Sequence, residues 1–566
     1  MGRDIYERYL KKEKGVFVLL ILIIGIGVGV SGMNPYIYGN IIDCITGGQK
    51  GEFEKWLIAF FGVLVLTQVL ESAESVIGNW AVNHIENEIQ DSLMKKMLSL
   101  KCREIDKYTE GELLNRLEFD AEKIIEYYLD LLTSILMIVL NLTISIYFIL
   151  RISKKLSIIA FIMLPMLYLV NFAFHNKIHK LNKCTKQFED RYYGFVNDIF
   201  SNLKCVKSFG MEEKLNSNYI EYLKKRLQLQ MKNTYLTSFI GLIREFLGNS
   251  VNIVILFAAG IAIISGSMTI GNMVAFNSYL GKFFEAISKV MELNLNRQGV
   301  LVSYERMIEL ENRLMEEKET GVVLKQKIQK VDCRDLAFGY DDKKVLDGFN
   351  LEIRDTGIYS LVGANGCGKS TLLKLLERFY EVDSGVIEIN EKDIEKYTLS
   401  SLRKSIFYMA KESFFMQDTV INNLRMGHDE ISDQEIIAAC QRTGIHEEIV
   451  KLPKGYETMV EKGGKNFSSG QKQKMGFARV LLAQADLILL DEVTSDLDGT
   501  AEKRICDLME EVSKKAMLLN ISHKPESLIR SREVFLVENG RIIGSGTHQE
   551  LLEKYEQYRR FFEREV

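Results

Sequence analysis

The sequence predicts an all-α membrane domain of six spanning helices with long cytoplasmic helical extensions, followed by an α/β phosphate-loop domain. Three observations carry that expectation. Hydrophobic residues make up 47 % of the 566-residue chain, and they concentrate in long runs before residue 300. The stretch Gly363-Ala364-Asn365-Gly366-Cys367-Gly368-Lys369-Ser370-Thr371 fits the phosphate-binding pattern G-x-x-x-x-G-K-[ST]. Beyond about residue 330, short apolar strands alternate with helical patterns, as a largely parallel sheet requires.

A spanning helix needs about 20 mostly apolar residues. Six stretches qualify as candidates, near residues 16–42, 56–80, 129–150, 156–174, 246–264 and 270–287. Arg3, Arg8, Lys11, Lys12 and Lys14 precede the first, with no small-residue cleavage site, so it reads as a retained helix with its basic end inside. An even number of spans returns the chain to the side of its basic N-terminus, the cytoplasmic one. Arg151, Lys154 and Lys155 then face outside, against the positive-inside tendency. Only four prolines occur, which suits long uninterrupted helices.

Asn34, Asn40, Glu71, Glu74, Arg244, Glu245 and Glu285 lie in or beside the spans. Ionisable groups are expensive in lipid, so they either line a substrate path or sit in cytoplasmic extensions of the helices. Glu71 and Glu74 share a helix face, and such carboxylates favour a cationic or amphipathic cargo.

The membrane domain is expected over 1–300, a helical linker over 301–328, and the α/β domain over 329–566. A net charge of −4 gives no pull toward nucleic acid. Eight scattered cysteines show no metal-ligand spacing and read as reduced thiols.

Within the α/β domain, Gly357–Val362 reads as the strand entering the phosphate loop, and Ser370 onward as the helix leaving it. Gly363, Asn365, Gly366, Cys367, Gly368 and Thr371 shape the loop. Its backbone N–H groups and the helix N-terminus face phosphate oxygens. Lys369 addresses the β- and γ-phosphates, and the Ser370 hydroxyl ligates Mg²⁺. Far downstream, the apolar strand Leu487–Leu490 ends in Asp491, for the Mg²⁺ shell, and Glu492, for the attacking water. His523 follows the apolar stretch Met517–Ile521, placed to reach the γ-phosphate, and Tyr340 could stack on an adenine ring. ATP with Mg²⁺ is the expected ligand pair, and an alkylating reagent at Cys367 should be blocked by ATP.

Asn466-Phe467-Ser468-Ser469-Gly470-Gln471, ahead of a basic helix, resembles the L-S-G-G-Q signature of ABC transporters. Ser495-Asp496-Leu497-Asp498 resembles their dimer-contacting D-loop. The polar stretches Gly111–Asp120 and Val206–Glu213 resemble the intracellular loops of ABC exporters, whose short coupling helices dock on the ATPase domains. Gly266–Phe276 resembles the exporters' turn between spans five and six. The chain thus looks like an ABC exporter half-transporter, and the resemblance covers nearly its whole length. It implies a second half-transporter as partner, each ATP lying between one chain's phosphate loop and the other's Ser468, Ser469, Gly470 and Gln471. It further implies Glu492 as catalytic base, His523 as γ-phosphate contact and Tyr340 as adenine-stacking aromatic.

Several positions depart from that pattern. Lys411 stands where the family's Q-loop has glutamine, Ser469 where the signature has glycine, Phe467 for leucine, Lys462 for glutamate and Asp496 for a small residue. An ammonium can neither ligate Mg²⁺ nor accept from water, though it can pair with phosphate oxygens. Altered motifs beside an intact Glu492 and His523 favour a heterodimer with a different chain, a homodimer being the alternative. The expected activity is ATP-driven export of a peptide, lipid or amphipathic molecule across the cytoplasmic membrane. A membrane regulator that binds ATP without transport is the rival reading.

Overall fold

The computed structural model describes residues 12–562, apart from 318 and 342. Arg3, Arg8, Lys11 and the side chain of Arg244 lie outside the described residues. The chain divides into two units, residues 1–94 with 111–311, and residues 95–110 with 312–566.

In the first unit, apolar runs with little proline become very long helices. Lys50–Met97, Lys154–Ser201, Glu212–Ile264 and Ile270–Glu311 hold 48, 48, 53 and 42 residues. A 48-residue helix is roughly 70 Å long, more than twice the hydrocarbon thickness of a bilayer, so a large part of each projects beyond it. The first crossing is split into Lys14–Ser31 and Asn34–Thr46, the second carrying Pro35 in its first turn, where proline is tolerated. Among the described residues, four helices are long and apolar enough to cross a membrane: Lys14–Thr46, Lys50–Met97, Glu110–Ile152 and Glu212–Ile264. The expected span 156–174 falls in Lys154–Ser201, where the side chains of 162–173 lie outside the described residues. The expected span 270–287 opens the helix Ile270–Glu311 and carries Asn272, Asn277, Lys282 and Glu285, which dilute its apolar character.

One of those polar groups, Lys282, meets the break in the first crossing. Carbonyls at a helix end lack intrahelical partners. The Tyr279 hydroxyl donates to the Gly32 carbonyl at 2.7 Å, and Lys282 Nζ to that of Ser31 at 2.7 Å. The Tyr279 ring stacks on Phe148, with centroids 4.6 Å apart. Nearby, Asp43 accepts from the Thr269 hydroxyl and the Gly271 N–H, both at 2.7 Å. A Cβ on Gly271 would lie 2.0 Å from the Gly39 carbonyl oxygen, so only glycine permits this approach.

The second unit contains two sheets. The larger has the order β10-β9-β3-β8-β7-β6: β3 (Gly357–Val362), β6 (Ile406–Met409), β7 (Leu487–Asp491), β8 (Met517–Ile521) and β9 (Glu533–Glu538) run parallel, and β10 (Arg541–Gly546) is antiparallel at the edge. Every residue of β7 and β8 is buried, the continuous apolar pattern of strands covered on both faces. The smaller sheet is antiparallel, in the order β2-β1-β4-β5, with β1 at Lys330–Tyr340, β2 at Lys343–Arg354, β4 at Ser384–Ile389 and β5 at Lys392–Asp393. The helix Lys369–Leu376 buries Leu372, Leu373, Leu375 and Leu376 almost completely against the sheets. Each such leucine contributes about 2 kcal/mol of burial.

Two expectations about organisation change. The helix of the expected 301–328 linker stops at Glu311; the chain beyond is irregular and bridges to the sheet unit through Val322 and Tyr397. The segment joined to the ATP-binding unit is not Gly111–Asp120 but residues 95–110, with the short helix Cys102–Ile105. Here Tyr380 donates to Asp106 at 2.6 Å, Lys101 pairs with Glu381 at 2.6 Å, and the Glu316 N–H donates to the Ser99 carbonyl at 2.7 Å. Gly111–Asp120 instead belongs to the helical unit, as part of the helix Glu110–Asn115 and one π-helical turn, Arg116–Asp120. The second loop forms the helix Leu203–Ser208, which buries no residue and turns into the next long helix through Gly210 at φ +62°.

Candidate nucleotide site

Parallel strands deliver their C-terminal ends to one edge, and that edge is where the ligand crevice of such a sheet lies. The phosphate loop leaves β3, Lys411 follows β6, Asp491 ends β7 with Glu492 next, and His523 follows β8. β3, β6, β7 and β8 thus bring together residues separated by more than 150 positions in sequence.

The loop's shape depends on particular glycines. A Cβ on Gly363 would lie 2.1 Å from the Val537 carbonyl oxygen, and one on Gly368 (φ +104°) 2.5 Å from Leu346. Gly366 also has a positive φ, +82°, but a Cβ there would meet nothing within 4 Å. The loop is therefore packed from behind and open at Gly366, the side from which phosphate oxygens can approach its N–H groups. Lys369 is only 6 % exposed, and its ammonium donates to the Gly363 and Ala364 carbonyls at 2.6 and 3.0 Å. A buried ammonium whose hydrogen bonds go to neutral groups favours an anionic partner in place of one of them.

The Ser370 hydroxyl donates to Asp491 Oδ1 at 3.1 Å, and the Tyr408 hydroxyl to Oδ2 at 3.3 Å. Burial pushes the Asp491 carboxyl above its ordinary pKa, with these two hydrogen bonds pulling the other way. A hydroxyl and a carboxylate side by side at the mouth of the loop are hard oxygen ligands of the kind Mg²⁺ takes, so the residues present fit that ion. Asn365 and Thr371 lie on either side of the loop's open turn, Thr371 buried in the first turn of the helix.

Glu492 has φ +51°, rare for a residue with a Cβ, and its N–H donates to the Ile521 carbonyl at 3.1 Å. Its Oε2 accepts from Lys411 Nζ at 2.5 Å, and its Oε1 lies 4.0 Å from His523 Nε2. The hydrogen bond to Glu492 and that residue's charge hold the Lys411 ammonium above its ordinary pKa. Sequence reasoning weighed Lys411 against phosphate and Mg²⁺; its partner here is the carboxylate of Glu492. The pairing Met409↔Leu490 between β6 and β7 sets this contact, bringing residues 411 and 492 out of the sheet side by side.

Tyr340 ends β1, and its ring meets those of Phe338 and Tyr380 edge-on, centroids 5.0 and 5.3 Å away. Cys367 is 8 % exposed, its Sγ 3.8 Å from Lys369 Nζ. The expected alkylation probe loses its discrimination, because the loop already shields the thiol.

Ser468, Ser469, Gly470 and Gln471 form a separate cluster, opening the helix Ser469–Leu482. Ser468 is the N-cap: its hydroxyl accepts from the Gln471 N–H, and Gln471 Oε1 accepts from the Ser468 N–H at 2.8 Å. Gln471 and Lys474 both donate to Glu448, at 2.8 and 2.7 Å. Burial opposes ionisation of Glu448, but these donors outweigh it and hold its pKa below the usual value. Sequence reasoning missed Glu448 and also Gln473, which clasps the D-loop by donating to Ser495 at 3.1 Å and accepting from the Asp496 N–H at 3.2 Å. Ser469 is exposed.

The family description "ABC transporter transmembrane region" matches residues 16–287, and "ABC transporter" matches residues 346–495. An ATP-dependent lipid A-core flippase of Syntrophus aciditrophicus is 29 % identical over 86 % of this chain and 80 % of its own. YgaD of Bacillus subtilis, whose name assigns it provisionally to multidrug export, is 26 % identical over 92 % of this chain and 91 % of its own. A solved bacterial Atm1-family ABC exporter with ATP bound shares the fold, with a TM-score of 0.83 at 22 % identity over 98 % of this chain and 99 % of that one. The chain belongs to the ABC transporter family, as an integral membrane exporter that binds and hydrolyses ATP through its C-terminal unit.

Proposed function

We propose that the chain is one half of a two-chain exporter that moves an amphipathic cation out across the cytoplasmic membrane. Its six crossings leave both termini and the ATPase unit on the cytoplasmic side. One observation carries the cargo class: a cavity of about 880 Å³ among the long helices. Glu71, Glu74, Glu126 and Asp130 line it against a single lysine, Lys123, beside apolar Leu20 and Val300. Acidic groups in an apolar wall suit a ligand that carries both a positive charge and a greasy body. A lipid cargo is the second reading, favoured by the likeness to a lipid A-core flippase.

In the nucleotide site, Tyr340 offers its ring to the base, and the loop N–H groups and Lys369 bind and orient the phosphates. Ser370 and Asp491 would hold Mg²⁺, which when bound neutralises charge on the phosphate oxygens. Glu492 accepts a proton from the attacking water, and His523 contacts the γ-phosphate. The Ser468–Gln471 turn, exposed at Ser468 and Ser469, completes the site of a second chain. Its Ser469, with Lys411, supports a different chain as partner over a second copy. ATP shifts the pair toward a closed arrangement only as far as it binds that arrangement more tightly.

The test is ATP hydrolysis by the lipid-reconstituted protein against tetraphenylphosphonium concentration. The cation should stimulate turnover, and a Glu71→Gln/Glu74→Gln variant should need a higher concentration for the same stimulation. An unaltered response in that variant would remove the cationic cargo.

A further inference from the structure

We propose that Lys411 is a positioning residue that restrains the general base, holding Glu492 in a resting contact from which it must be released before it can take a proton. This rests on the assignment of Glu492 as base. A carboxylate acts as a base through a lone pair directed at water. Here Oε2 is occupied by the Lys411 ammonium at 2.5 Å, a charge-assisted hydrogen bond, while Oε1 faces His523 at 4.0 Å. The two residues are not equally held. Glu492 is 20 % exposed and fixed by its backbone bond to Ile521, whereas Lys411 is 58 % exposed on the loop after β6. The mobile partner of the pair is therefore the lysine.

A neutral glutamine amide at position 411 could offer the carboxylate only an ordinary hydrogen bond, and could itself bind water. The ammonium does more, because it neutralises the base while engaging it. Phosphate oxygens are the other strong acceptors open to an ammonium at this edge of the sheet, since Asp491, the neighbour of Glu492 in sequence, accepts from Ser370 of the phosphate loop. Bound ATP offers Lys411 a competing partner and frees Oε2 in only part of the population, so the restraint persists at saturating nucleotide and is read in kcat. The contact is exposed to solvent, so its strength is that of a surface pair, worth a factor of roughly two to five in a rate or equilibrium.

Two readouts test this on the full chain in lipid, together with its partner half where one is required. The first is the rate at which Lys411 is acetylated without nucleotide, followed by mass spectrometry against the other lysines. Breaking the pair with Glu492→Gln should speed labelling of Lys411 by roughly two- to fivefold. Equal labelling in wild type and Glu492→Gln would overturn the resting contact. The second is the split between kcat and KM for ATP. Lys411→Gln should raise kcat by roughly two- to fivefold with KM little changed, and Lys411→Arg, which keeps the charge, should stay near wild type. A kcat that falls in Lys411→Gln would overturn the restraint. The double variant Lys411→Gln/Glu492→Gln should match Glu492→Gln alone, because the lysine acts through the carboxylate. A gain in the double variant would show Lys411 acting elsewhere. Turnover that survives in Glu492→Gln would remove the base assignment itself, whatever the labelling shows.

Discussion

Burial, rather than charge pairing, decides the behaviour of Glu377, the residue after the phosphate-loop helix. It is 5 % exposed, and burial pushes its pKa up to about 7, with Arg403 opposing. Its ordinary value is 4.5. The folded chain therefore binds this proton more tightly than the unfolded one. The stabilisation is complete below pH 4.5 and is lost as pH rises through about 7. Glu377→Gln should flatten that window: wild type loses thermal stability between pH 5 and 8, and the variant should lose less, as read by unfolding midpoints. Parallel pH profiles would mean that Glu377 titrates normally. The residues proposed as catalytic, Glu492 and His523, could be picked out in the sequence because each follows an apolar strand, β7 or β8. Lys411's partner could not, since Glu492 lies 81 positions away and only the register of β6 on β7 joins them.

At the scale of elements, periodicity announced the helices and strands that matter most. The stretches expected as strands before the phosphate loop, Asp491 and His523 are β3, β7 and β8. A four-residue helix such as Cys102–Ile105 is too short to carry a period, which is why the docking segment was placed at Gly111–Asp120. The antiparallel β2-β1-β4-β5 sheet was equally silent, because its register is set by pairing across the chain. The clasp between the helices Asn34–Thr46 and Ile270–Glu311 gives a test at this level. Asp43→Ala leaves the Gly271 N–H and the Thr269 hydroxyl without their acceptor, costing about 1–3 kcal/mol. Asp43→Asn keeps one acceptor and should recover part of that loss, measured as the thermal midpoint in detergent. Equal midpoints for all three would show that the clasp contributes nothing.

For the whole molecule, two units with separate roles are encoded in different alphabets. One is long apolar helices carrying a few acidic side chains; the other is short buried strands that converge phosphate-binding groups at one edge. The signature turn, capped by its own Gln471 and exposed at Ser468 and Ser469, lies at the start of a different helix from the elements that carry Lys369, Asp491 and Glu492. That separation is the physical reason a second chain is invoked. The most direct measurement is Mg²⁺-dependent ATP hydrolysis by this chain purified alone in lipid, beside Glu492→Gln. The account predicts that the substitution lowers any turnover by about 100-fold or more. It further predicts that the chain alone turns over slowly until a partner with an unaltered signature is added. Robust turnover by the chain alone would contradict the preference for a different partner, and turnover that survives in Glu492→Gln would contradict the site.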